Sequence, residues 1–177
     1  LAAAEVAMAV EQAAIEESQS GTVGTVGNMN VQPGVMNVVP GHVDILIDIR
    51  GVDLQSIHKT TECVLARAAE ICDKRGIFLK TTVLAEDKPV LLHQELASMI
   101  ETTLQQAGIS ALRMNSGAGH DAMNMASVVP TSLLFIPCHQ GISHHPDEKV
   151  RLKDISNGLD ALYVILSELA SDVKKFR

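Results

Sequence analysis

Cysteine is scarce in this sequence: Cys63, Cys72 and Cys138 are the three among 177 residues. An odd count with no CxxC spacing excludes a disulfide framework and a zinc-thiolate site, and it fits a reducing, cytoplasmic setting. Cys63 and Cys72 lie in an apolar helical pattern and Cys138 closes an apolar run, so all three are expected as buried packing residues. Long hydrophobic runs are missing as well. The longest, such as Ser132 to Cys138, fall far short of the roughly 18 residues that span a bilayer, so no membrane segment is expected. Clustered Lys and Arg are also absent, and 14 basic against 21 acidic residues give a formal net charge of −7. That balance excludes nucleic acid, whose phosphates demand grouped cations. No solenoid-length repeat or low-complexity tract occurs, and the doubled Thr-Val-Gly at Thr22 to Gly27 is too short to count. Gly24 to Gly27 lacks the lysine and the helix start of a phosphate loop. Finally, no initiator methionine, signal-peptide start or capping residue precedes the alanines after Leu1. The chain is therefore expected to begin inside a helix, as a truncated chain would.

What the sequence does hold is core material: 46% of residues are hydrophobic, enough for one domain or two small ones. Leu1 to about Ser18, rich in Ala and Glu, predicts a helix ended by the polar Ser18 to Gly21. Thr22 to Gln32 predicts a strand with Val23, Thr25, Met29 and Val31 on one face, weakened by Gly24 and Gly27. In His42 to Arg50 the residues Val43, Ile45, Ile47 and Ile49 alternate with His42, Asp44, Asp48 and Arg50, the period of a half-buried strand. Pro40-Gly41 marks a turn before it, so the two strands are expected to pair antiparallel. Asp53 can cap the next helix, whose apolar Ile57, Val64, Leu65, Ala68, Ile71 and Cys72 share a face, and Gly76 stops it. Ile77 to Ala85 predicts another strand and Glu86 to Pro89 a charged linker. This first part is a small α+β layer with helices on one sheet face.

Beyond Pro89 the pattern changes to that of an α/β layer. Leu91 to Ala107 predicts a helix ended by Gly108, a glycine-rich segment spans Ser116 to His120, and Thr131 to Cys138 predicts a strand buried on both faces. Lys153 to Lys174 predicts a last helix with Ile155, Leu159, Leu162, Tyr163, Leu166 and Leu169 in one stripe, packed on that second sheet.

Four places carry residues suited to chemistry. Gly141-Ile142-Ser143-His144-His145-Pro146-Asp147-Glu148 follows the apolar strand, and strand ends are where α/β sheets bind ligands. Either His144 or His145 could ligate a metal, with a nearby carboxylate orienting the other ring nitrogen; a solvated polar turn fits the spacing equally. Ser116-Gly117-Ala118-Gly119-His120-Asp121 enters a helix, where bare backbone N–H groups can stabilise an anion or developing oxyanion. A glycine turn with His120 and Asp121 as a structural pair is the alternative. Asn37, in the loop Pro33 to Gly41, and Arg50, at the strand end, offer a donor and a planar fork for a carboxylate. Arg50 can equally be a solvated charge or the partner of Asp48.

Taken in order, Asn37-Val38-Val39-Pro40-Gly41-His42-Val43 running into Ile47-Asp48-Ile49-Arg50, then Ser116 to Ala122, then Gly141 to His144 with Glu148, resemble the C-terminal half of the hydantoinase/carbamoylase family. The likeness extends through essentially the whole chain, Leu1 to Gln19 resembling the end of that family's first lid helix. The resemblance implies a metal-dependent aminoacylase/carboxypeptidase-like α/β catalytic domain interrupted by a small α+β lid that also makes a homodimer. Residues 1–88 would then be most of the lid and 89–177 the C-terminal part of the catalytic domain. It implies His144 as the last ligand of two divalent ions (Zn, Mn, Co or Ni). It further implies Asn37 and Arg50 as holders of the substrate carboxylate, often toward the neighbouring subunit. Gly117, Gly119 and His120 would act at the reacting carbonyl. The substrate implied is a small carbamoyl or ureido acid such as an N-carbamoyl-L-amino acid or allantoate. The family's remaining metal ligands and its general base come before the lid or at its root, and none is in this chain, so the isolated fragment is expected to be inactive. His145 stands where the family has a small residue, and Pro33-Gly34-Val35 departs from its Pro-Asn-Ala. A peptidase or N-acyl aminoacylase on the same fold, or a non-catalytic dimerisation module, are the alternatives.

Overall fold

The computed structural model describes residues 1–171. It divides into two compact units, Leu1–Pro89 and Val90–Arg177.

In the first unit, helix α1 (Ala2–Glu16) and helix α2 (Leu54–Lys74) pack with a two-stranded antiparallel ribbon of β1 (Val23–Gln32) and β2 (His42–Arg50). A core of Val10, Ala13 and Val64, joined by half-buried Val26, Ile49 and Cys63, holds helices and ribbon together. At Gly24 helix α1 comes close to β1. A Cβ there would stand 3.1 Å from both Val10 and Ala14 side chains, tighter than ordinary contact, so a bare backbone permits the approach.

The face of β1 differs from expectation. Opposite residues share a face of an antiparallel pair, and the register couples Gly24 to Ile49 and Val26 to Ile47 before an irregularity between Val26 and Asn28. Beyond it Met29 faces Ile45 and Val31 faces Val43. Gly27 is the extra residue of a β-bulge, which reverses the alternation. Gly24, Val26, Met29 and Val31 therefore lie with the isoleucine row of β2, while Val23 and Thr25 go to the other face.

Helix α2 begins and ends on the expected residues. Asp53 Oδ1 accepts from the backbone N–H groups of Gln55 (2.7 Å) and Ser56 (3.1 Å). At the other end Gly76 takes φ 62°, and the Ile77 N–H donates to Cys72 O at 2.9 Å, closing the helix through a left-handed residue. A buried polar seam ties β1, α2 and the turn after α1. Thr22 Oγ1 and Ser56 Oγ are 2.6 Å apart, Ser56 Oγ donates to Glu17 Oε2 at 3.0 Å, and Lys59 pairs with the same carboxylate.

Ile77 to Ala85 is not a strand. No ladder pairs with it among the described residues, and a strand is defined by its partner, so its β-branched composition is not enough. Phe78 is consequently 89% exposed.

The second unit is built on helix α3 (Gln94–Gln106) against helix α5 (Leu152–Ser171), with a short helix α4 (Asp121–Met125) between them in sequence. α3 starts later than Leu91 because His93 caps it, Nδ1 accepting from the Leu96 N–H at 3.1 Å. Leu104, Ala161 and Ile165 form the core, with Ile100, Ile109 and Leu169 around it. The buried stripe of α5 is thus the side of Ala161, Ile165 and Leu169. Leu159, Leu162, Tyr163 and Leu166 lie outside it and are exposed, contrary to the expected stripe. Asp172 to Lys174, the end of the expected helix, lie outside the described residues.

Thr131 to Cys138 is likewise no strand buried on both faces. It pairs with no strand among the described residues, so this unit shows no sheet under α5, and Leu134, Phe135 and Ile136 are exposed. α5 does press on it: a Cβ on Gly158 would stand 2.5 Å from Ile136 Cγ2. The three cysteines are free thiols, but Cys72 alone is buried; Cys63 and Cys138 are half-buried. No described helix is long and apolar enough to cross a membrane.

Candidate active site

Arg50 sits on the polar face of β2 opposite Val23, at one end of the ribbon. Its Nε donates to Asp48 Oδ2 at 2.5 Å, and a second guanidinium nitrogen reaches the same oxygen. Asn37 lies in the exposed loop 33–41, which is rooted at the other end, where Gln32 pairs with His42 and the Gly41 N–H donates to Gln32 O at 3.0 Å. The loop's root and Arg50 are about 26 Å apart along β2, at ~3.3 Å per residue. The ribbon does not bring the pair together.

The glycine-rich segment is closed by one side chain. Ser116 Oγ accepts from the Ala118 N–H (3.2 Å), donates to Ala118 O (3.0 Å) and lies 2.8 Å from His120 Nε2. His120 precedes α4 in extended conformation and its ring stands at 59° to that of Phe135, centroids 5.4 Å apart. It pairs with Ser116 rather than Asp121. A Cβ on Gly117 would meet nothing within 4 Å, and one on Gly119 only Met123 Sδ at 3.7 Å. Neither glycine is required by a left-handed φ or by packing among the described residues. At Gly119 the missing side chain leaves room for a ligand to approach the backbone closely.

His144 occupies a loop closed at its base by the His139 N–H donating to Lys149 O at 2.8 Å. The described chain has two non-glycine residues at positive φ, Gln140 (54°) and His144 (57°), and both are in this loop. Such backbone costs on the order of 1–3 kcal/mol and collects at functional sites. Glu148 Oε2 accepts the His144 backbone N–H at 3.0 Å, so this carboxylate holds the main chain and not the ring. The two histidines differ in availability. His145 Nδ1 accepts from the Asp147 N–H at 3.1 Å, whereas the exposed His144 ring has no hydrogen-bond partner among the described residues.

Among the described residues no three His, Cys, Asp or Glu side chains gather as a metal site would need. His144 fits one ligand; the described residues do not by themselves make a centre. A cleft of about 280 Å³ in the second unit is lined by Leu91, His93 and residues 126–131, none of them a candidate. Sequence reasoning missed Ser116 as the organiser of the glycine loop and Phe135 as the support of His120. The Ser-x-x-x-His spacing was the available signal for the first, while contact with Phe135 depends on folding. Thr131–Cys138 touches both loops: Phe135 tilts against His120, and Cys138 Sγ reaches Ile142 O at 3.2 Å.

The chain belongs to peptidase family M20/M25/M40, whose model matches residues 2–168. It is 41% identical to a Haemophilus influenzae protein described as an uncharacterized hydrolase, over 96% of this chain and 41% of that one. It is 35% identical to a ureidoglycolate hydrolase of Oryza sativa, over 96% of this chain and 35% of the relative. The crystal structure of a hydantoinase/carbamoylase family amidase from Burkholderia multivorans superposes with a TM-score of 0.86 at 29% identity, covering 94% of this chain and 40% of that one. The fold is thus the mixed helix-and-strand fold of the M20 and carbamoylase proteins. The chain spans about two fifths of the length of these relatives.

Proposed function

We propose that the whole protein of which this chain forms part hydrolyses a linear C–N bond in a carbamoyl or ureido acid. The observation that carries the reading is the His144 loop, where a non-glycine residue in left-handed backbone presents a ring without a partner among the described residues. His144 would ligate one of two divalent ions, Zn, Mn, Co or Ni, whose other ligands lie outside this chain. When bound, such ions supply Lewis acidity and an activated water.

The chain's own residues supply the rest. Arg50 holds the substrate carboxylate through its planar fork, with Asn37 adding a donor, and so fixes the end that does not react. The Gly117–Gly119 backbone receives the carbonyl oxygen, and His120 stands beside it. The first unit acts as a lid and makes a homodimer. The ureidoglycolate hydrolase and the carbamoylase neighbour support a ureido acid as substrate.

The test is turnover by full-length protein loaded with Zn, Mn or Co on N-carbamoyl amino acids, allantoate, ureidoglycolate and 3-ureidopropionate. Release of ammonia or a urea derivative is expected; no turnover on any of them rejects the reading. The match to a peptidase family favours a second reading, a peptidase or N-acyl aminoacylase. Cleavage of dipeptides or acyl amino acids in the same assay, with ureido acids inert, would select it.

A further inference from the structure

The contacts around Ser116 leave little freedom for its hydroxyl. A serine hydroxyl has one proton to donate and two lone pairs to accept with. Ser116 Oγ has three partners: the Ala118 N–H, which can only donate, Ala118 O, which can only accept, and His120 Nε2. One arrangement satisfies all three. Oγ gives its proton to Ala118 O, accepts from the Ala118 N–H, and accepts a third bond from Nε2–H of His120. Were the hydroxyl proton turned to Nε2 instead, Ala118 O would lose its donor.

We propose that Ser116 is a positioning residue that holds His120 in its Nε2–H tautomer, leaving Nδ1 as the ring's proton-accepting atom toward a bound ligand. Three observations support it. Nδ1 of His120 has no hydrogen-bond partner among the described residues, so its lone pair is not already used. Phe135 tilts against the ring, which restricts rotation that would exchange the two nitrogens. Gly119, where an added Cβ would meet only Met123 Sδ, lies between Ser116 and His120, so the serine sets the ring and the backbone beside it at once.

A serine 2.8 Å from a histidine also suggests a nucleophile with its base, but the bonding is wrong for that role. Both Oγ lone pairs are occupied by N–H donors and the proton is directed at a main-chain carbonyl. The ligand facing Nδ1 is accordingly one with a polarised N–H or O–H group, as an amide or ureido nitrogen carries. A proton taken at Nδ1 turns the neutral ring into imidazolium, whose Nε2–H remains bonded to Ser116; the same proton is returned from Nδ1. This part rests on the proposed amidohydrolase reading; the tautomer itself does not.

The experiment is nitrogen NMR of full-length protein labelled with 15N at histidine, combined with kinetics of Ser116→Ala and Ser116→Thr. In the unsubstituted protein at a pH where His120 is neutral, Nε2 is expected protonated and Nδ1 bare. Ser116→Ala is expected to mix the tautomers and to lower kcat roughly tenfold to a hundredfold with KM little changed, as loss of orientation does. Ser116→Thr, which keeps the hydroxyl, is expected to restore both readouts. Finding Nδ1 protonated in the unsubstituted protein overturns the proposal whether or not any variant folds. So does Ser116→Ala with unchanged tautomer and rate. If no ureido or acyl substrate is turned over, the functional reading fails while the nitrogen spectrum still decides the tautomer.

Discussion

Arg50 Nε donates to Asp48 Oδ2 at 2.5 Å, two residues along the same face of β2, with both side chains about half exposed. The arginine assigned to the substrate carboxylate already holds a carboxylate of its own chain. An exposed pair of this kind is worth about 0.2–1 kcal/mol, whereas hydrogen bonds to a charged ligand are worth about 1.5–3 kcal/mol each, so on the proposed role an acid substrate would have to displace Asp48 and could do so.

Arg50→Ala should therefore raise KM for the acid substrate at least about tenfold and largely spare an esterified analogue. Asp48→Asn should act the other way and lower KM roughly two- to fivefold, the worth of the competing pair. Steady-state kinetics on acid and ester decide. Equal loss on both substrates in Arg50→Ala would remove the carboxylate from the arginine's role.

His144 and His145 should separate by metal content. His144→Ala should lose bound divalent metal, while His145→Ala, whose Nδ1 is committed to the Asp147 N–H, should retain it. Elemental analysis of the two purified full-length variants reads this directly; the reverse pattern would transfer the ligand to His145.

Gly119→Ala tests whether the bare backbone serves a ligand. The added methyl meets only Met123 Sδ at 3.7 Å, so thermal stability should stay within about 0.5 kcal/mol. The methyl leaves the backbone N–H in place but stands in the way of a ligand approaching it, and a lost oxyanion contact of this kind should lower kcat about a hundredfold. A variant that is destabilised and still fully active would make the glycine structural.

Glu17 should govern part of the acid limb of stability. Lys59 and then Ser56 hydrogen-bond its carboxylate and hold its pKa below the ordinary glutamate value. A carboxylate depressed in the folded state stabilises the fold above its unfolded pKa, and that stabilisation is lost as pH falls through the folded one. Glu17→Gln should then be less stable than the unsubstituted protein at neutral pH and should show a flatter loss on acidification. Thermal melts from neutral to acid pH check the slope.

Much of the first unit was legible because its signals are local. The alternation in His42–Arg50 needs one strand to be read, and Asp53 and Gly76 act on the backbone within a few residues of themselves. The reversal of face in β1 was not legible. Gly27 can be an ordinary strand glycine or a bulge, and only pairing with β2 selects the second. In the same way the leucines of α5 promised a buried stripe, yet α3 packs against Ala161 and Ile165, and that choice of face is made by the partner helix.

The site divides along the same line. The residues alone marked Asn37, Arg50, the glycine segment and the two histidines, because fork, bare backbone and imidazole chemistry belong to residue types. The order of the three segments was enough to place the family. Tertiary structure decided which atoms are in use: Arg50 is paired with Asp48, His145 is tied to Asp147, and Ser116 holds His120 by one nitrogen. It also decided that Ile77–Ala85 and Thr131–Cys138 form no strand among the described residues. A side chain's chemistry is carried by its own atoms, but its availability, like a strand, is a relation to a neighbour that folding supplies.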